Sequence, residues 1–424
     1  MTSGETRVIH PSKCVNAHVQ LPPSKSYTNR ALIVAALADG TSNILGPSVS
    51  DDSEHLLRAL GQFGIVVNRS EGKVEIVGSG GNFSAPQKEV FVGNAGTAMR
   101  FLASFAAIAR GETTLTGDEQ MLKRPMKDLL DALRAAGIKC SSQDGYPPVR
   151  IQGGNFVGGL INVDAGISSQ FVSSILLAAP YSKRTVTLHV KGKLSSIPYV
   201  DMSLHVMRSF GADVDANDLR NLQVNNQQKY IGHDFLVEAD ASSATYFFAA
   251  AAVTGGRVVI TNFSAESLQG DARFLGLLSD MGCTVIKHDD SVEVKGGRLL
   301  GIDVDMNQIP DCVPTLAVVA AFAQGPTSIS NIEHLKYKET NRLKALTLEL
   351  SKLGARVDLH EDGMTIHPQS LRACEIETYN DHRIAMSFAV AGLRQEGIVI
   401  TNPSCVAKSF PGFWDEFHKI ELQG

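Results

Sequence analysis

The sequence predicts an α/β fold of two similar lobes, each built from three copies of one unit of alternating helices and strands. Two recurrences carry the prediction: an amphipathic segment ending in glycine, found five times, and six helices of small residues offset from it. The length of 424 residues supports it, because one core rarely serves so long a chain and two compact three-unit lobes are favoured over a solenoid.

The first series reads LLRALGQFGIVV, LLDALRAAGIKC, LHVMRSFGADV, FLGLLSDMGCTV and LTLELSKLGARV. Its matching glycines are Gly64, Gly137, Gly211, Gly282 and Gly354, so subtraction gives spacings of 73, 74, 71 and 72. The second series begins SKSYTNRALIVAALADG, GNAGTAMRFLASFAAIARG and SSQFVSSILLAAP. It continues DASSATYFFAAAAVTGG, IPDCVPTLAVVAAFAQG and YNDHRIAMSFAVAGLRQEG. Short β-branched runs such as TTLTG, VTLHV and VVITN follow these helices and read as strands after a glycine C-cap. Small side chains let helix backbones approach, so this series is expected in the middle of each lobe.

The sixth unit stops at FWDEFHKIELQG without its last strands, whereas the chain opens with the strand-like TRVIH and NAHVQLP. The expected division is therefore an N-terminal lobe of residues 21–233 and a C-terminal lobe of residues 1–20 plus 234–424. Two crossings, near Leu21 and near residues 232–234, make a hinge and direct the search for a ligand site to the space between lobes.

Composition narrows the class. Hydrophobic residues at 43%, charged residues at 20% and a net charge of −5 are globular values that offer no global attraction for nucleic acid. The six cysteines are scattered and form no C-x-x-C pair, which argues against a structural metal or a disulfide framework. Residues 1–10 hold no apolar signal core, and the longest apolar stretch, around Leu316 to Ala323, is far short of a membrane span. A reduced, cytoplasmic, monomeric protein is expected.

Positive charge is concentrated at helix starts, where the backbone already favours anions. PPSKSYTNR carries Lys25, Ser26 and Arg30. GNAGTAMR carries Asn94, Gly96 and Arg100, with a glycine-rich turn that lets backbone approach a ligand. SSQF offers the neutral donors Ser168, Ser169 and Gln170, and IPDCVP places Asp311 before an apolar helix. YNDHRIAMS brings Asp381, His382 and Arg383 together, whereas EADASSATYFF has Asp240 and no cation and is assigned no chemistry. Loops add Lys123 and Arg124 in LKRPM, Lys336, Lys338, Glu339 and Arg342 in KYKETNRL, and Lys408 in VAKSFP. Singly, each reads as a cap or a solvated charge. Together they supply enough cations to neutralise several acidic groups.

PSKSxTNR, GNAGTAMR, KRPM, SSQF, PDxxP, KETNRL, NDHRIAMS and AKSFP, in this order from about Leu21 to Phe413, closely resemble the 5-enolpyruvylshikimate-3-phosphate synthase family. The resemblance implies lobes of three βαβαββ units, each an inverse α/β barrel, with the active site in the interlobe cleft. It implies transfer of the enolpyruvyl group of phosphoenolpyruvate to shikimate 3-phosphate through a tetrahedral intermediate, with no metal or organic cofactor. Carried over by motif, the shikimate 3-phosphate contacts are Lys25, Ser26, Arg30, Ser168, Ser169, Gln170, Ser196, Tyr199, Asp311, His334 and Lys338. The phosphoenolpyruvate contacts are Lys25, Asn94, Gly96, Arg124, Gln170, Arg342, His382, Arg383 and Lys408.

The chemistry needs one proton removed from the attacking hydroxyl and another delivered to the enol methylene. Asp311 fits the first role and Glu339 the second, with Lys25 moving protons or stabilising charge. The cations Lys338 and Arg342 favour the ionised form of Glu339, so bound anionic substrates must restore a usable acid. Two positions depart from the family: Phe101 stands where many relatives carry proline, and His334 where some carry asparagine. Gly96, retained, leans towards binding of glyphosate, an inhibitor of the family. The nearest alternative, the related transferase acting on UDP-N-acetylglucosamine, uses a loop cysteine that GETTLTGDEQMLKR lacks. A non-catalytic clamp for anions would have no use for Asp311 and Glu339.

Overall fold

The computed structural model describes residues 5–226 and 228–421; residues 1–4, 227 and 422–424, which belong to the segments assigned to the two lobes, lie outside the described residues. The chain forms two compact units, Pro23–Glu238 and Met1–Pro22 with Ala239–Gly424, called here the N-terminal and C-terminal units. The second crossing follows Glu238 rather than residues 232–234, because Phe235 and Leu236 still pair in parallel with Ile44 and Leu45 of the N-terminal unit.

Twelve helices of seven to fourteen residues alternate between two roles among the described residues. In the N-terminal unit they are α1 (Lys25–Leu37), α2 (Asp51–Gln62), α3 (Gly96–Ile108), α4 (Lys127–Ala135), α5 (Gln170–Ala178) and α6 (Ile197–Ser209). In the C-terminal unit they are α7 (Ala241–Thr254), α8 (Phe274–Asp280), α9 (Val313–Ala320), α10 (Arg342–Leu353), α11 (His382–Gly392) and α12 (Phe413–Glu421). The odd-numbered helices are the small-residue series, and they pack on one another, three in each unit. Every residue of α11, and every residue of α1 from Tyr27 onward, is buried. A helix buried all round has no polar face to offer, and alanine-rich surfaces let three such helices share one centre. In the C-terminal unit that centre includes a hydroxyl ladder, Thr245 to Thr315 and Thr315 to Ser387, each at 3.2 Å.

The even-numbered helices are amphipathic. Leu56, Leu57 and Leu60 of α2 and Leu129, Leu130 and Leu133 of α4 face the core. The five repeated glycines after them adopt φ of 81°, 89°, 85°, 101° and 115° at Gly64, Gly137, Gly211, Gly282 and Gly354. Only glycine enters that left-handed region without strain, so the spacing of the repeat is the spacing of helix ends.

The small-residue helices end differently from the sequence expectation. Gly255 alone caps its helix directly, after α7. After three others the residue before the glycine makes a parallel bridge, Asp39 with Ile231, Arg110 with Ser84 and Gln324 with Leu300, so the helix must stop earlier for the chain to extend.

Among the described residues six small sheets clothe the helices, five of four strands and one of three. In the third, Gly159–Asp164 runs parallel to Val186–Lys191, which pairs antiparallel with Asn221–Val224. Burial alternates along Val186–Lys191, as a sheet covered on one face requires. Two sheets of the C-terminal unit are completed by the start of the chain: Asn16–Val19 lies parallel to Arg257–Ile260, and Thr6–Val8 antiparallel to Ile398–Thr401. Each unit has its own continuous apolar core.

Candidate active site

In the C-terminal unit the charged motifs converge at the starts of α9, α10 and α11. Asp311 sits in the 3-10 turn Pro310–Cys312 that leads into α9. Arg342 is the first residue of α10, whose N-cap Asn341 accepts from the Lys344 N–H. Asp381 caps α11, accepting from the Arg383 N–H at 2.9 Å, which sets the first turn carrying His382 and Arg383.

The side chains form one ion-pair network. Arg342 Nε donates to Asp381 Oδ2 at 2.8 Å and its Nη2 to Asp381 Oδ1 at 3.2 Å. The same guanidinium reaches Asp311 Oδ1 at 3.0 Å through Nη1 and Glu339 Oε2 at 2.7 Å through Nη2. Arg383 Nη2 donates to Asp311 Oδ2 at 2.7 Å and Nη1 to the Tyr246 hydroxyl at 3.1 Å. Lys338 lies 4.0 Å from Asp311, and Lys408 lies 3.8 Å from Glu339. Arg342 is 1% exposed and Asp381 0%, so this pair survives burial only because each charge is matched. Asp311, at 19%, keeps an open side.

Burial alone would push the Asp311 carboxyl up, but Arg383, then Lys338 and Arg342, outweigh it and hold the group well below the usual carboxylate range. Burial works against the charge of Arg342, and Asp381, Glu339 and Asp311 more than restore it. Asp271 goes the other way: burial, followed by the negative charge of Asp311, pushes it up to about 6.

The N-terminal unit gathers the other motifs in separate contacts. Lys25, the first residue of α1, donates to Asp52 at 2.9 Å. Arg30 is 1% exposed and bonds to Ser203 Oγ at 2.8 Å, the Ser26 carbonyl at 2.9 Å and the Tyr199 carbonyl at 2.8 Å. Its guanidinium also lies over the Phe101 ring at 5.3 Å, so this aromatic side chain packs on a cation. Burial draws the Arg30 group down to about 10. Arg124 donates to Asn94 Oδ1 at 3.3 Å, and a Cβ on Gly96 would stand 2.5 Å from Arg124 Nη1. Gln170 starts α5 and donates to Thr97 Oγ1 at 3.2 Å, while its own N–H donates to Ser168 Oγ at 3.2 Å. Ser169 immediately precedes α5, and Ser196, at φ 58°, precedes α6, which carries Tyr199 in its first turn.

Other motif residues have different duties. Arg100 is buried and donates to the Gly96 carbonyl at 3.2 Å and the Pro125 carbonyl at 3.3 Å, fixing the glycine turn against the Arg124 loop. Lys336 pairs with Glu333 at 3.3 Å on the exposed side of the turn Glu333–Tyr337, in which His334 is buried. His382 Nδ1 stands 3.7 Å from Asp381.

Sequence reasoning passed over Asp52, Ser242, Tyr246 and Asp271, and named Asp381 without giving it a partner. Asp52 pairs with Lys25, and Asp381 binds Arg342 across 39 positions. Ser242 and Tyr246 come from α7, the helix assigned no chemistry, yet both accept from Arg383. Asp271, on the 3-10 turn Gly270–Arg273, accepts from Ser242. The repeat itself was the usable signal, since it aligns the start of α7 with those of α9 and α11.

The family described as EPSP synthase (3-phosphoshikimate 1-carboxyvinyltransferase) matches residues 9–417. A 3-phosphoshikimate 1-carboxyvinyltransferase of Trichormus variabilis is 44% identical over 411 residues, covering 96% of each chain. One of Serratia proteamaculans is 43% identical, covering 98% of this chain and 99% of its own. Among solved structures, an EPSP synthase from Acinetobacter baumannii superposes with a TM-score of 0.81 at 29% identity, covering 98% of both chains.

Proposed function

The chain belongs to the EPSP synthase family, and from that premise we propose how its side chains divide the family's reaction. The reaction transfers the enolpyruvyl group of phosphoenolpyruvate to the 5-hydroxyl of shikimate 3-phosphate and releases phosphate, a step of aromatic amino-acid biosynthesis. The acceptor is shikimate 3-phosphate, not UDP-N-acetylglucosamine.

In the addition step the 5-oxygen bonds to C2 of the enol, its proton leaves, and C3 gains a proton to become a methyl. In the elimination step the C2–O bond to phosphate breaks and the methyl gives up a proton, restoring the double bond. Asp311 is the base for the hydroxyl, and Glu339 handles the proton at C3. Lys25 stabilises charge or shuttles a proton. Arg342, Arg383, Lys408 and Arg124, with Asn94, Gly96, Gln170 and His382, take phosphoenolpyruvate. Lys25, Ser26, Arg30, Ser168, Ser169, Gln170, Ser196, Tyr199, Asp311, His334 and Lys338 take shikimate 3-phosphate.

One observation carries the reading: Asp311 and Glu339 share the guanidinium of Arg342, and Asp311 also holds Arg383. A carboxylate held by two guanidinium groups is a weak base. An incoming phosphoenolpyruvate anion competes for the same donors, and each donor it takes strengthens Asp311 as a base and frees Glu339 to accept a proton. The substrate thus activates the groups that act on it.

The test is phosphate release with Asp311→Asn and Glu339→Gln, with shikimate 3-phosphate binding followed by calorimetry. Turnover should fall by about 100-fold or more in each while the fold and shikimate 3-phosphate binding persist. Normal turnover in either variant overturns that residue's role. A monomer in a reducing cytoplasm completes the proposal; the six unpaired cysteines fit the reducing compartment. Light scattering that gave a dimer mass would overturn the first part.

A further inference from the structure

We propose that Asp271, acting through Ser242, is a positioning residue for Arg383 and so sets how tightly the phosphoenolpyruvate anion is held. The proposal rests on the assignment of Arg383 to that substrate. Ser242 has one hydroxyl proton, and it is donated to Asp271 Oδ2. Its lone pairs are then left to accept from Arg383 Nη2, at 3.4 Å. The same nitrogen spends its other proton on Asp311 Oδ2 at 2.7 Å, and Nη1 is held by Tyr246 at 3.1 Å. The chain from Asp271 to Asp311 therefore has a direction, and the ionised state of Asp271 sets it.

The turn that carries Asp271 is stapled to the start of α7. Gln269 Nε2 donates to the Ala239 carbonyl at 2.6 Å, and its Oε1 accepts from the Ala241 N–H at 3.2 Å. Asp271 is 3% exposed and faces Asp311, Arg383, Asp240 and Cys312. If it gains a proton it can donate to Ser242, whose own hydroxyl proton then turns towards the guanidinium. A donor replaces an acceptor in front of a cation, and Arg383 loses one of its supports. The carboxyl is pushed up to about 6 by burial and then by Asp311, so this exchange falls within the range of activity assays.

The experiment compares Asp271→Asn, a neutral mimic of the protonated state, and Ser242→Ala with wild type from pH 5 to pH 8. At pH 7.5 kcat/KM for phosphoenolpyruvate should fall about tenfold in both, with KM for shikimate 3-phosphate within about twofold of wild type. The ratio of wild type to Asp271→Asn should decline towards one below pH 6, with a midpoint near the Asp271 value of about 6. Ionisation of the substrates cancels in that ratio, and kcat/KM reports the free enzyme. A ratio that is flat with pH, or equal losses for both substrates, overturns the positioning role. Arg383→Gln separates the two levels. If it leaves KM for phosphoenolpyruvate unchanged, the assignment of Arg383 fails. If it raises that KM while Asp271→Asn does not, only the role of Asp271 fails.

Discussion

The carboxyl of Asp271 carries a stability consequence as well as a functional one, and its sign can be worked out. Burial and then the neighbouring charge of Asp311 raise it from 3.8 to about 6, so between these values the folded protein binds more protons than the unfolded chain. Stability must then fall as pH rises through that window, because ionising the group costs more inside the protein than outside. From pH 4.5 to pH 7.5 the affected interval is roughly 1.5 pH units, which at about 1.36 kcal/mol per unit gives a loss of about 2 kcal/mol. Asp271→Asn removes the titration, and its amide can donate to Ser242 as the protonated carboxyl would. Relative to wild type the variant should therefore gain about 2 kcal/mol between pH 4.5 and pH 7.5, or about 4–8 °C in the transition of the C-terminal unit. Urea unfolding of both proteins at the two pH values measures it, since every other titrating group is common to both and cancels. A gain that is the same at both pH values, or larger at pH 4.5, would refute the reasoning. Together with the expected loss of substrate affinity, a gain at neutral pH marks Asp271 as a residue that trades stability for function.

Two other substitutions probe the scaffold of the site. Asp381→Ala removes both the cap of α11 and the main partner of a guanidinium that is 1% exposed, and should destabilise by about 3–5 kcal/mol in urea titration. Asp381→Asn keeps the cap and should cost distinctly less; equal losses would mean that the cap contributes nothing. Gly96→Ala puts a Cβ 2.5 Å from Arg124 Nη1, so the guanidinium must swing from its 3.3 Å contact with Asn94. KM for phosphoenolpyruvate should rise about two- to tenfold, by the loss of part of one charged hydrogen bond, and inhibition by glyphosate should weaken further. Equal inhibition of variant and parent would overturn the second part.

The fold was legible because it is periodic. A glycine after each of five amphipathic helices, about 72 residues apart, needs no tertiary information to be recognised, and its physical cause is local: a left-handed residue that glycine alone tolerates cheaply. The ends of the small-residue helices were misplaced for the opposite reason. Asp39, Arg110 and Gln324 leave the helix to pair with residues brought alongside by the tertiary fold, and no propensity at those positions announces it.

The cationic half of the candidate site was also legible, since lysine and arginine at a helix start contradict the usual preference and so stand out. Its acidic half was harder to see. Asp240 and Asp381 occupy the same N-cap position in two repeats, and each does the same backbone work, accepting at 2.7 Å from the Ser243 N–H and at 2.9 Å from the Arg383 N–H. By sequence both are ordinary caps. What separates them lies elsewhere: α10 directs Arg342 at Asp381, and α11 carries an arginine in its first turn where α7 carries Ser242 and Ser243. The repeat supplies identical helix starts, and the chemistry enters through the side chains by which the copies differ. Ser242 shows the same division from the other side, because a serine in the first turn of a capped helix means nothing until a neighbouring copy presents Arg383 to its lone pair and a turn from its own copy presents Asp271 to its proton.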